Sequence, residues 1–372
     1  MLDILLSIMG GIIAILPIAM SIFLYLKYGR EESFAELNTL PDYIRDISEI
    51  GELSPSEAAI LLNPGVMESV SKGVNPGLNK IISAEIMEMI RLGYLETIEK
   101  EIITTPILNL KKKIIAFKPV PGKDVSKLTP IQRKIYEFMR TNMIGESFSF
   151  EEYEKKLEEI PFDINLETLR QQYLKKQNFK NFYLGSKSIV DNLLNERYLD
   201  KTGFNLAKKF SIFYLTILVL LIVLGLVLNT KNFLLSCAFS LFIVIILFAF
   251  SQIKKDILSR WTKEGRLTHE KLKKYKKFME DLTLMKEKTI TDIILWEKLL
   301  VYATAFGVAD KVVNAMKIHY PDYSKTKSLV HLSALSHSLP SSTSNAAGKA
   351  LGRSKGGFGG GRGGGGGSGG AR

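Results

Sequence analysis

The chain has 372 residues, enough for two or three domains, and a formal net charge of +12. This charge favours an anionic partner, either nucleic acid or the lipid of a membrane surface. The single cysteine, Cys237, excludes an intrachain disulfide and a cysteine-type zinc site, and the four histidines are not spaced as metal ligands.

The chain begins with an apolar run at residues 4–26 that contains no charge. Its 23 residues are enough to cross a hydrocarbon core. A cleaved secretory signal would carry basic residues before the run and a small-residue cleavage site after it. Here only Asp3 precedes the run, and Lys27 and Arg30 follow it. We therefore predict an uncleaved transmembrane anchor over residues 1–26, in which Pro17 is tolerated.

The next region, residues 27–124, is predicted to be a winged-helix-like cytosolic module. Ser54 and Glu57 form a capping box at the start of one helix, and residues 80–92 have the apolar spacing of a second. Two alternating segments predict strands at residues 94–98 and 114–117. Two helices followed by a two-stranded wing are typical of winged-helix modules.

The charges of this module bear on its partner. A winged helix that binds DNA inserts one helix into the major groove. The candidate helix, residues 80–92, carries two basic and two acidic residues, which favours protein binding over nucleic-acid binding. The candidate wing carries Lys111, Lys112 and Lys113. These lysines could contact phosphate or lipid headgroups, or form a solvated edge that discourages strand aggregation.

Residues 125–209 predict a second helical cytosolic module. Thr129 and Pro130 begin one helix, and Ser149 with Glu152 forms a capping box before another. Further helices are predicted at residues 166–176 and 187–197.

A transmembrane helical hairpin is predicted over residues 210–253. Two uncharged apolar runs, residues 210–228 and 233–250, flank four polar residues. The runs contain 19 and 18 residues, each about the length needed for one crossing. Basic residues lie before the hairpin and after it, at Lys201, Lys208, Lys209, Lys254 and Lys255. The positive-inside rule therefore places the N-terminus and the hairpin turn outside and the bulk of the chain in the cytosol.

Residues 254–325 predict a cytosolic helical region that begins at the membrane. Lys254, Lys255, Arg260 and Trp261 suit an interface with anionic lipid. An apolar stripe over residues 272–285 fits either a helix lying on the membrane or, preferably, a helix packed against the soluble block. Residues 290–308 predict a buried helix.

The remaining residues, 326–372, are predicted to be a disordered Ser- and Gly-rich tail, with order ending near Pro321. From residue 356 to 370, 12 of 15 residues are glycine, which loses most entropy on ordering. One Gly-Gly-Arg-Gly-Gly segment resembles weak RNA-binding sequences, but a solvated tether or a lipid-contacting tail is preferred.

Several segments taken in order resemble a known family. They are the capped Leu53-Ser54-Pro55-Ser56-Glu57-Ala58-Ala59, then Arg91-Leu92-Gly93-Tyr94-Leu95, then the apolar hairpin, then Trp296-Glu297-Lys298-Leu299-Leu300-Val301-Tyr302-Ala303-Thr304-Ala305-Phe306-Gly307-Val308, and the glycine-rich terminus. The chain resembles the YciQ-like predicted membrane proteins, a family of unknown function (domain 2207). Such proteins usually carry a signal sequence and an extracytoplasmic β-rich domain ahead of the first anchor. This sequence starts at the anchor and contains neither, so we expect a stand-alone cytosolic half that pairs with a separate partner. The resemblance itself implies no activity.

No motif of nucleotide binding, zinc-dependent hydrolysis or nucleophilic catalysis is present in the sequence. We therefore predict an α-helical integral membrane protein with three transmembrane helices that is not an enzyme and needs no cofactor or metal. Its predicted function is that of a membrane-tethered protein-interaction scaffold, and the alternative is a membrane-bound nucleic-acid-binding regulator. The candidate interaction or lipid-facing residues are Lys111, Lys112, Lys113, Lys254, Lys255, Arg260, Trp261 and Trp296.

Overall fold

The computed structural model of the chain describes residues 2–31, 33–67, 74–105, 110–158, 166–194, 197–227, 231–253, 259–282 and 292–352. These residues are mostly helical. In chain order the α-helices are α1 (Leu2–Tyr28), α2 (Ala35–Asn38), α3 (Pro55–Leu62), α4 (Pro76–Arg91), α5 (Pro130–Thr141), α6 (Phe150–Glu158), α7 (Leu166–Asp191), α8 (Thr202–Val227), α9 (Lys231–Ile253), α10 (Lys263–Asp281), α11 (Ile293–Phe306), α12 (Ala309–His319) and α13 (Lys327–Ala350). The strands are β1 (Leu95–Thr105), β2 (Leu110–Pro119), β3 (Leu199–Asp200) and β4 (Arg260–Trp261).

The chain divides into two compact units. Unit 1 contains residues 1–67 and 188–333, and unit 2 contains residues 68–187 and 334–372. The capped helix α3 therefore lies in unit 1, whereas α4 and the strands β1 and β2 lie in unit 2. The grouping of these elements into one winged-helix-like module stays a prediction.

Three apolar helices, α1, α8 and α9, pack against one another in unit 1. They contain the three apolar runs of the sequence, so the prediction that these runs are helical is confirmed. Their shared core is made of large side chains from α8 and α9, namely Tyr214, Leu218, Phe233 and Val244, together with Cys237.

The second part of unit 1 is built around α3. The predicted capping box is present: Ser54 Oγ accepts from the Glu57 amide, and the Glu57 carboxylate accepts from the Ser54 amide. α3 packs against α10 and α11. The Tyr302 hydroxyl on α11 donates to the Leu53 carbonyl, which fixes α11 to the segment that precedes α3.

The apolar stripe of α10 is buried. Leu272, Tyr275, Phe278 and Met279 are all less than 4 % exposed. Burying such a stripe against protein removes its apolar surface from water without any contact with lipid. The interpretation of this segment as a packed helix is therefore confirmed, and the interpretation as a helix lying on the membrane is wrong.

Unit 2 contains the predicted β-hairpin. β1 and β2 are antiparallel, with Leu95 opposite Pro119, and the pairing extends to Leu110 with one irregularity. Phe117 also exchanges two backbone hydrogen bonds with Phe148, at 2.7 and 2.8 Å. This bridge brings the segment before α6 to the outer side of β2.

The core of unit 2 is aromatic. The ring of Phe138 on α5 contacts four other rings, those of Phe148, Tyr153, Phe179 and Phe182, at centroid distances of 4.1 to 5.7 Å. Offset and edge-to-face pairs of this kind stabilise a core beyond their buried area. They also hold α7, which is one helix of 26 residues. Residues 166–176 are therefore helical as predicted, but the prediction that a separate helix begins at residue 187 is wrong.

Residues 327–350 form α13, so the prediction that order ends near Pro321 is wrong for this segment. Leucines spaced three or four apart, Leu329, Leu332, Leu335 and Leu339, are buried. Further along, small side chains take over the buried face, with Thr343, Ala346 and Ala347 each fully buried. A Ser- and Ala-rich sequence can thus form a packed helix when its small side chains keep helical spacing. Residues 353–372, where most of the glycines occur, lie outside the described residues.

Candidate functional site

A proline interrupts the hydrogen bonding of α1. Pro17 lies inside this helix. Because proline has no backbone N–H, the carbonyl of Ile13, four residues earlier, lacks its usual helical donor. The Tyr214 hydroxyl of α8 donates to this carbonyl at 2.6 Å, and the Ser240 hydroxyl of α9 approaches it at 3.4 Å. The two hydroxyls also bond to each other. One backbone oxygen therefore joins three helices.

The outer faces of the same three helices expose large apolar side chains. Examples are Ile12 at 62 %, Phe213 at 65 % and Leu235 at 71 % exposed. Contiguous apolar surface of this kind on a soluble protein would be costly, and it marks contact with a membrane or a partner. Among the described residues one helix, Thr202–Val227, is long and apolar enough to cross a membrane, and Ile15–Tyr28 and Phe233–Ile246 are shorter apolar segments.

A short antiparallel pair connects the residues before α8 to those after α9. β3 pairs with β4, with Leu199 opposite Trp261 and Asp200 opposite Arg260. The Arg260 guanidinium lies 3.3 Å from an Asp200 carboxylate oxygen. Hydrogen bonds from Thr202, followed by the contact with Arg260, lower the pKa of Asp200 below its ordinary value, which keeps this carboxylate ionised.

A cavity of about 380 Å³ opens beside this pair in unit 1. Its walls are residues 199–202 and Asn205 on one side and residues 260–263 on the other. Among the described residues three cationic side chains and one carboxylate line it, which gives these residues a formal net charge of +2. The volume is at the lower end of the range for small-molecule sites.

The wall formed by β4 is held rigidly. Thr262 caps α10 by accepting from the Gly265 amide, and its own hydroxyl donates to the Arg197 carbonyl. Gly265 is needed because a Cβ there would lie 2.1 Å from the Tyr198 carbonyl oxygen. Glycine at position 265 thus lets the chain segments on the two sides of the cavity pack more closely than a residue with a side chain would allow.

The Trp261 ring forms part of this wall. It stacks on the His269 ring with centroids 5.0 Å apart, and His269 Nδ1 lies 2.7 Å from the Leu61 carbonyl oxygen. Burial lowers the pKa of His269 below its ordinary value, so the ring is neutral near pH 7 and Nδ1 carries the hydrogen donated to Leu61. The Trp261 amide also donates to a Glu31 carboxylate oxygen at 3.3 Å.

The candidate residues predicted from the sequence lie in different environments in the structure. Arg260 and Trp261 both line the cavity. Lys254 and Lys255 lie outside the described residues. Trp296 is fully buried in the protein, so its side chain is not exposed to lipid or to a partner. The reason is its position on α11, whose residues 299–305 are buried as well.

The lysines of the predicted wing belong to unit 2, whereas the cavity belongs to unit 1. Lys111, Lys112 and Lys113 are exposed on β2, and the Lys111 ammonium is 3.6 Å from the Glu101 carboxylate across the strand pair. Both partners are more than half exposed, so this ion pair contributes little to stability.

The helix considered for DNA recognition is mostly buried. Twelve of the 16 residues of α4 are buried, including Glu85 and Glu88. A recognition helix must present several side chains to the edges of bases. The burial of α4 therefore disfavours the nucleic-acid alternative.

Sequence reasoning missed Tyr214 and Ser240, and it used Lys201 only to assign orientation. A proline within an apolar run indicates a carbonyl that needs a donor from elsewhere. Tyr214 and Ser240 are among the few hydroxyl-bearing residues of the other two runs. A proline in one apolar run and a few hydroxyl-bearing residues in the other two could therefore have indicated this contact. Nothing in the sequence, however, pairs Pro17 with Tyr214 and Ser240.

These features, with the exposed apolar faces and the candidate membrane helix, define a predominantly helical membrane protein. The chain belongs to the family of predicted membrane proteins called domain of unknown function 2207, because the profile of that family's C-terminal domain matches residues 41–316. The resemblance seen in the sequence is thereby confirmed. No curated protein and no solved structure matches the chain significantly.

Proposed function

We propose that this chain is a multi-pass membrane protein that acts as a membrane-tethered, cytosolic protein-interaction scaffold. In this proposal α1, α8 and α9 each cross the bilayer. The N-terminus and the turn between α8 and α9 lie outside, and the remainder of the chain is cytosolic.

The observation that carries the proposal is the hydrogen bonding at the Ile13 carbonyl. In hydrocarbon each backbone polar group must find a partner within the protein, because water is absent. A helix with Pro17 in its apolar run can be accommodated there when neighbouring helices supply the missing donor. Tyr214 and Ser240 supply it from the other two apolar helices.

The ends of the helices agree with this arrangement. Glu31 follows α1, Trp261 follows α9, and the two are joined by a hydrogen bond. β3, which precedes α8, pairs with β4, which follows α9. The end of α1, the start of α8 and the end of α9 therefore meet on one side, as three successive crossings require.

The topology can be tested by cysteine labelling in intact cells with a membrane-impermeant maleimide. We expect Thr230→Cys, between α8 and α9 in the sequence, to be labelled in intact cells, and Glu137→Cys, at an exposed position of α5, only after permeabilisation. The wild-type chain is the blank, since its Cys237 is buried. Labelling of Glu137→Cys in intact cells would refute the proposed orientation.

The scaffold part of the proposal is supported by the exposed surface of α7. Leu169 and Tyr173 are four residues apart and share one helix face, and they are 49 % and 64 % exposed. A photo-crosslinking residue at position 173 is expected to capture a protein partner in native membranes, and Leu169→Ser is expected to abolish capture. The same crosslinker at exposed Lys180, on the same helix, is the control.

Nuclease treatment before purification separates the scaffold from the alternative regulator. A stoichiometric protein that survives nuclease and depends on Leu169 supports the scaffold. Nuclease-sensitive nucleic acid without a protein partner would overturn it, and the affinity for that nucleic acid would then fall steeply with salt.

A further inference from the structure

We infer that the cavity beside the β3–β4 pair binds the phosphate group of an anionic lipid headgroup. This inference rests on the proposed membrane topology, and it adds a ligand that the scaffold proposal does not contain. It is drawn from the depth, the charge and the size of the cavity.

The depth of the cavity follows from α8. The uncharged part of this helix begins at Phe210, which marks the edge of the hydrocarbon. Asn205 lies five residues before it and Thr202 eight residues before it. At 1.5 Å per residue they are about 8 and 12 Å from that edge. The headgroup layer extends roughly 5–8 Å beyond the hydrocarbon on each side, so Asn205 lies at its outer edge and Thr202 about 4 Å beyond it. The cavity therefore opens at the boundary between the headgroups and water.

The charged groups at the cavity have exchangeable partners. The Lys201 ammonium donates to the Leu194 carbonyl at 3.2 Å. Lys263 pairs with Glu36, and both side chains are at least half exposed, so this pair is weak in water. Either ammonium can transfer its hydrogen bonds to a phosphate oxygen without leaving a buried group unpaired. Asp200, the one carboxylate among the described residues of the wall, is occupied by Arg260 and Thr202.

The remaining polar wall suits a phosphodiester with a hydroxylated headgroup. Thr202, Asn205 and Thr262 add hydroxyl and amide groups beside the cations. The volume of about 380 Å³ can hold a headgroup, whereas the acyl chains would stay in the bilayer next to the apolar faces of α8 and α9. Trp261, an aromatic residue with an N–H donor, is typical of this depth.

The test uses the purified full chain in detergent, titrated with dihexanoyl phosphatidylglycerol below its micelle concentration. Binding is followed by native mass spectrometry and by tryptophan emission, since Trp261 is one of two tryptophans and lines the cavity. Dihexanoyl phosphatidylcholine, glycerol phosphate and inorganic phosphate are titrated in parallel. We expect saturable one-to-one binding of phosphatidylglycerol.

The decisive variants remove two cations each. Each cation near an anionic lipid contributes about a fivefold factor in affinity, so Lys201→Gln/Lys263→Gln is expected to weaken binding about 25-fold. Lys208→Gln/Lys209→Gln removes the same charge one or two turns further along α8, outside the cavity, and is expected to change affinity less than threefold. Lys201→Arg/Lys263→Arg keeps both charges and should retain binding, which would show that the loss follows the charge.

The outcomes distinguish a lipid from a soluble phosphate as the ligand, and they distinguish failure of the binding site from failure of the proposed topology. Tight binding of phosphatidylglycerol alone supports a lipid ligand. Equally tight binding of glycerol phosphate supports the phosphate chemistry but overturns the lipid as its source. Equal losses in both glutamine variants, or no saturable binding of any probe, would overturn the site. Because cysteine labelling measures topology independently, a failed site and a failed topology give different results.

Discussion

Replacing Tyr214 by phenylalanine removes one hydroxyl and leaves the ring, so it tests the hydrogen bonding at Pro17 directly. The Ile13 carbonyl keeps the Ser240 hydroxyl, now free to turn fully toward it from 3.4 Å. One hydrogen bond is therefore lost without leaving the carbonyl bare. Measured side-chain hydrogen bonds between membrane helices are worth about 0.6 kcal/mol on average and at most about 1.7. We expect Tyr214→Phe to lower the free energy of unfolding by about 1 kcal/mol.

Removing both hydroxyl donors should lower the free energy of unfolding by more than twice as much. Tyr214→Phe/Ser240→Ala leaves the Ile13 carbonyl with no donor from α8 or α9. An unsatisfied buried carbonyl costs about 1–3 kcal/mol beyond the lost bond. We expect the double variant to lose roughly 2–4 kcal/mol of unfolding free energy.

Pro17→Ala supplies the internal control. Alanine restores an N–H four residues after Ile13, so the helix itself can satisfy that carbonyl. In this background the double variant should cost less than about 1 kcal/mol, because only the Tyr214–Ser240 contact remains to be lost. Pro17→Ala is thus expected to couple to the two hydroxyls by about 1–3 kcal/mol.

Steric trapping of the full chain in bicelles gives these free energies without detergent denaturation. Tyr25→Phe, on a tyrosine that is 47 % exposed on the same helix α1, is the matched control and should be neutral within about 0.5 kcal/mol. If the double variant costs the same with Pro17 as with alanine at that position, the Ile13 carbonyl is not what Tyr214 and Ser240 stabilise, and the reasoning fails.

Three further predictions concern the parts outside the apolar helices. Gly265→Ala places a Cβ 2.1 Å from the Tyr198 carbonyl and should lower the thermal unfolding temperature of unit 1, whereas Gly348→Ala, with nothing within 4 Å, should be neutral or stabilising by up to about 1 kcal/mol. Because burial lowers the pKa of His269, its contribution is complete above its ordinary pKa of 6.5 and is lost as the pH falls below it; unfolding measured between pH 7.5 and 5.5 should show this loss, and His269→Gln should abolish it. Tyr183→Phe removes the hydroxyl that accepts from the amide of Asn75, the residue before α4, at 2.8 Å. Hydrogen exchange at the start of α4 should therefore accelerate about 5- to 100-fold, and unchanged exchange would contradict the role assigned to Tyr183.

Local chemistry explains which elements could be predicted. The helix starts at Ser54 and Thr129 are each determined by residues within three positions. The capping box predicted at Ser54 is formed, and Thr129, predicted to begin a helix, does so by capping it together with Gln132. The same holds for Gly93 and Gly307, which end α4 and α11 with positive φ. Such interactions are complete within one turn, so the sequence contains all their partners in order.

What could not be predicted depends on residues distant in the chain. Trp296 was selected because it is aromatic and specific to its segment, but only the packing of α11 determines that it is buried. α13 has a low-complexity sequence, and it is ordered because Ser342 donates to Glu151 and Lys349 pairs with Glu154 on α6. The cavity requires residues from two segments that are separated by about 60 positions. Composition could indicate lipid at Arg260 and Trp261, but it could not bring Lys201 beside Lys263.

The shared carbonyl also has a consequence for biogenesis. Ile13 precedes its donors by 201 and 227 residues, so ribosomes translating roughly 5–20 residues per second complete α1 about 10–45 s before α8 and α9 exist. During that interval the Ile13 carbonyl of the proline-interrupted helix lacks its donors, and we expect α1 to remain near the translocon or a chaperone. Under the proposed topology, the assembly of α1 with α8 and α9 is therefore a late event that follows insertion and waits for synthesis of the distal hairpin.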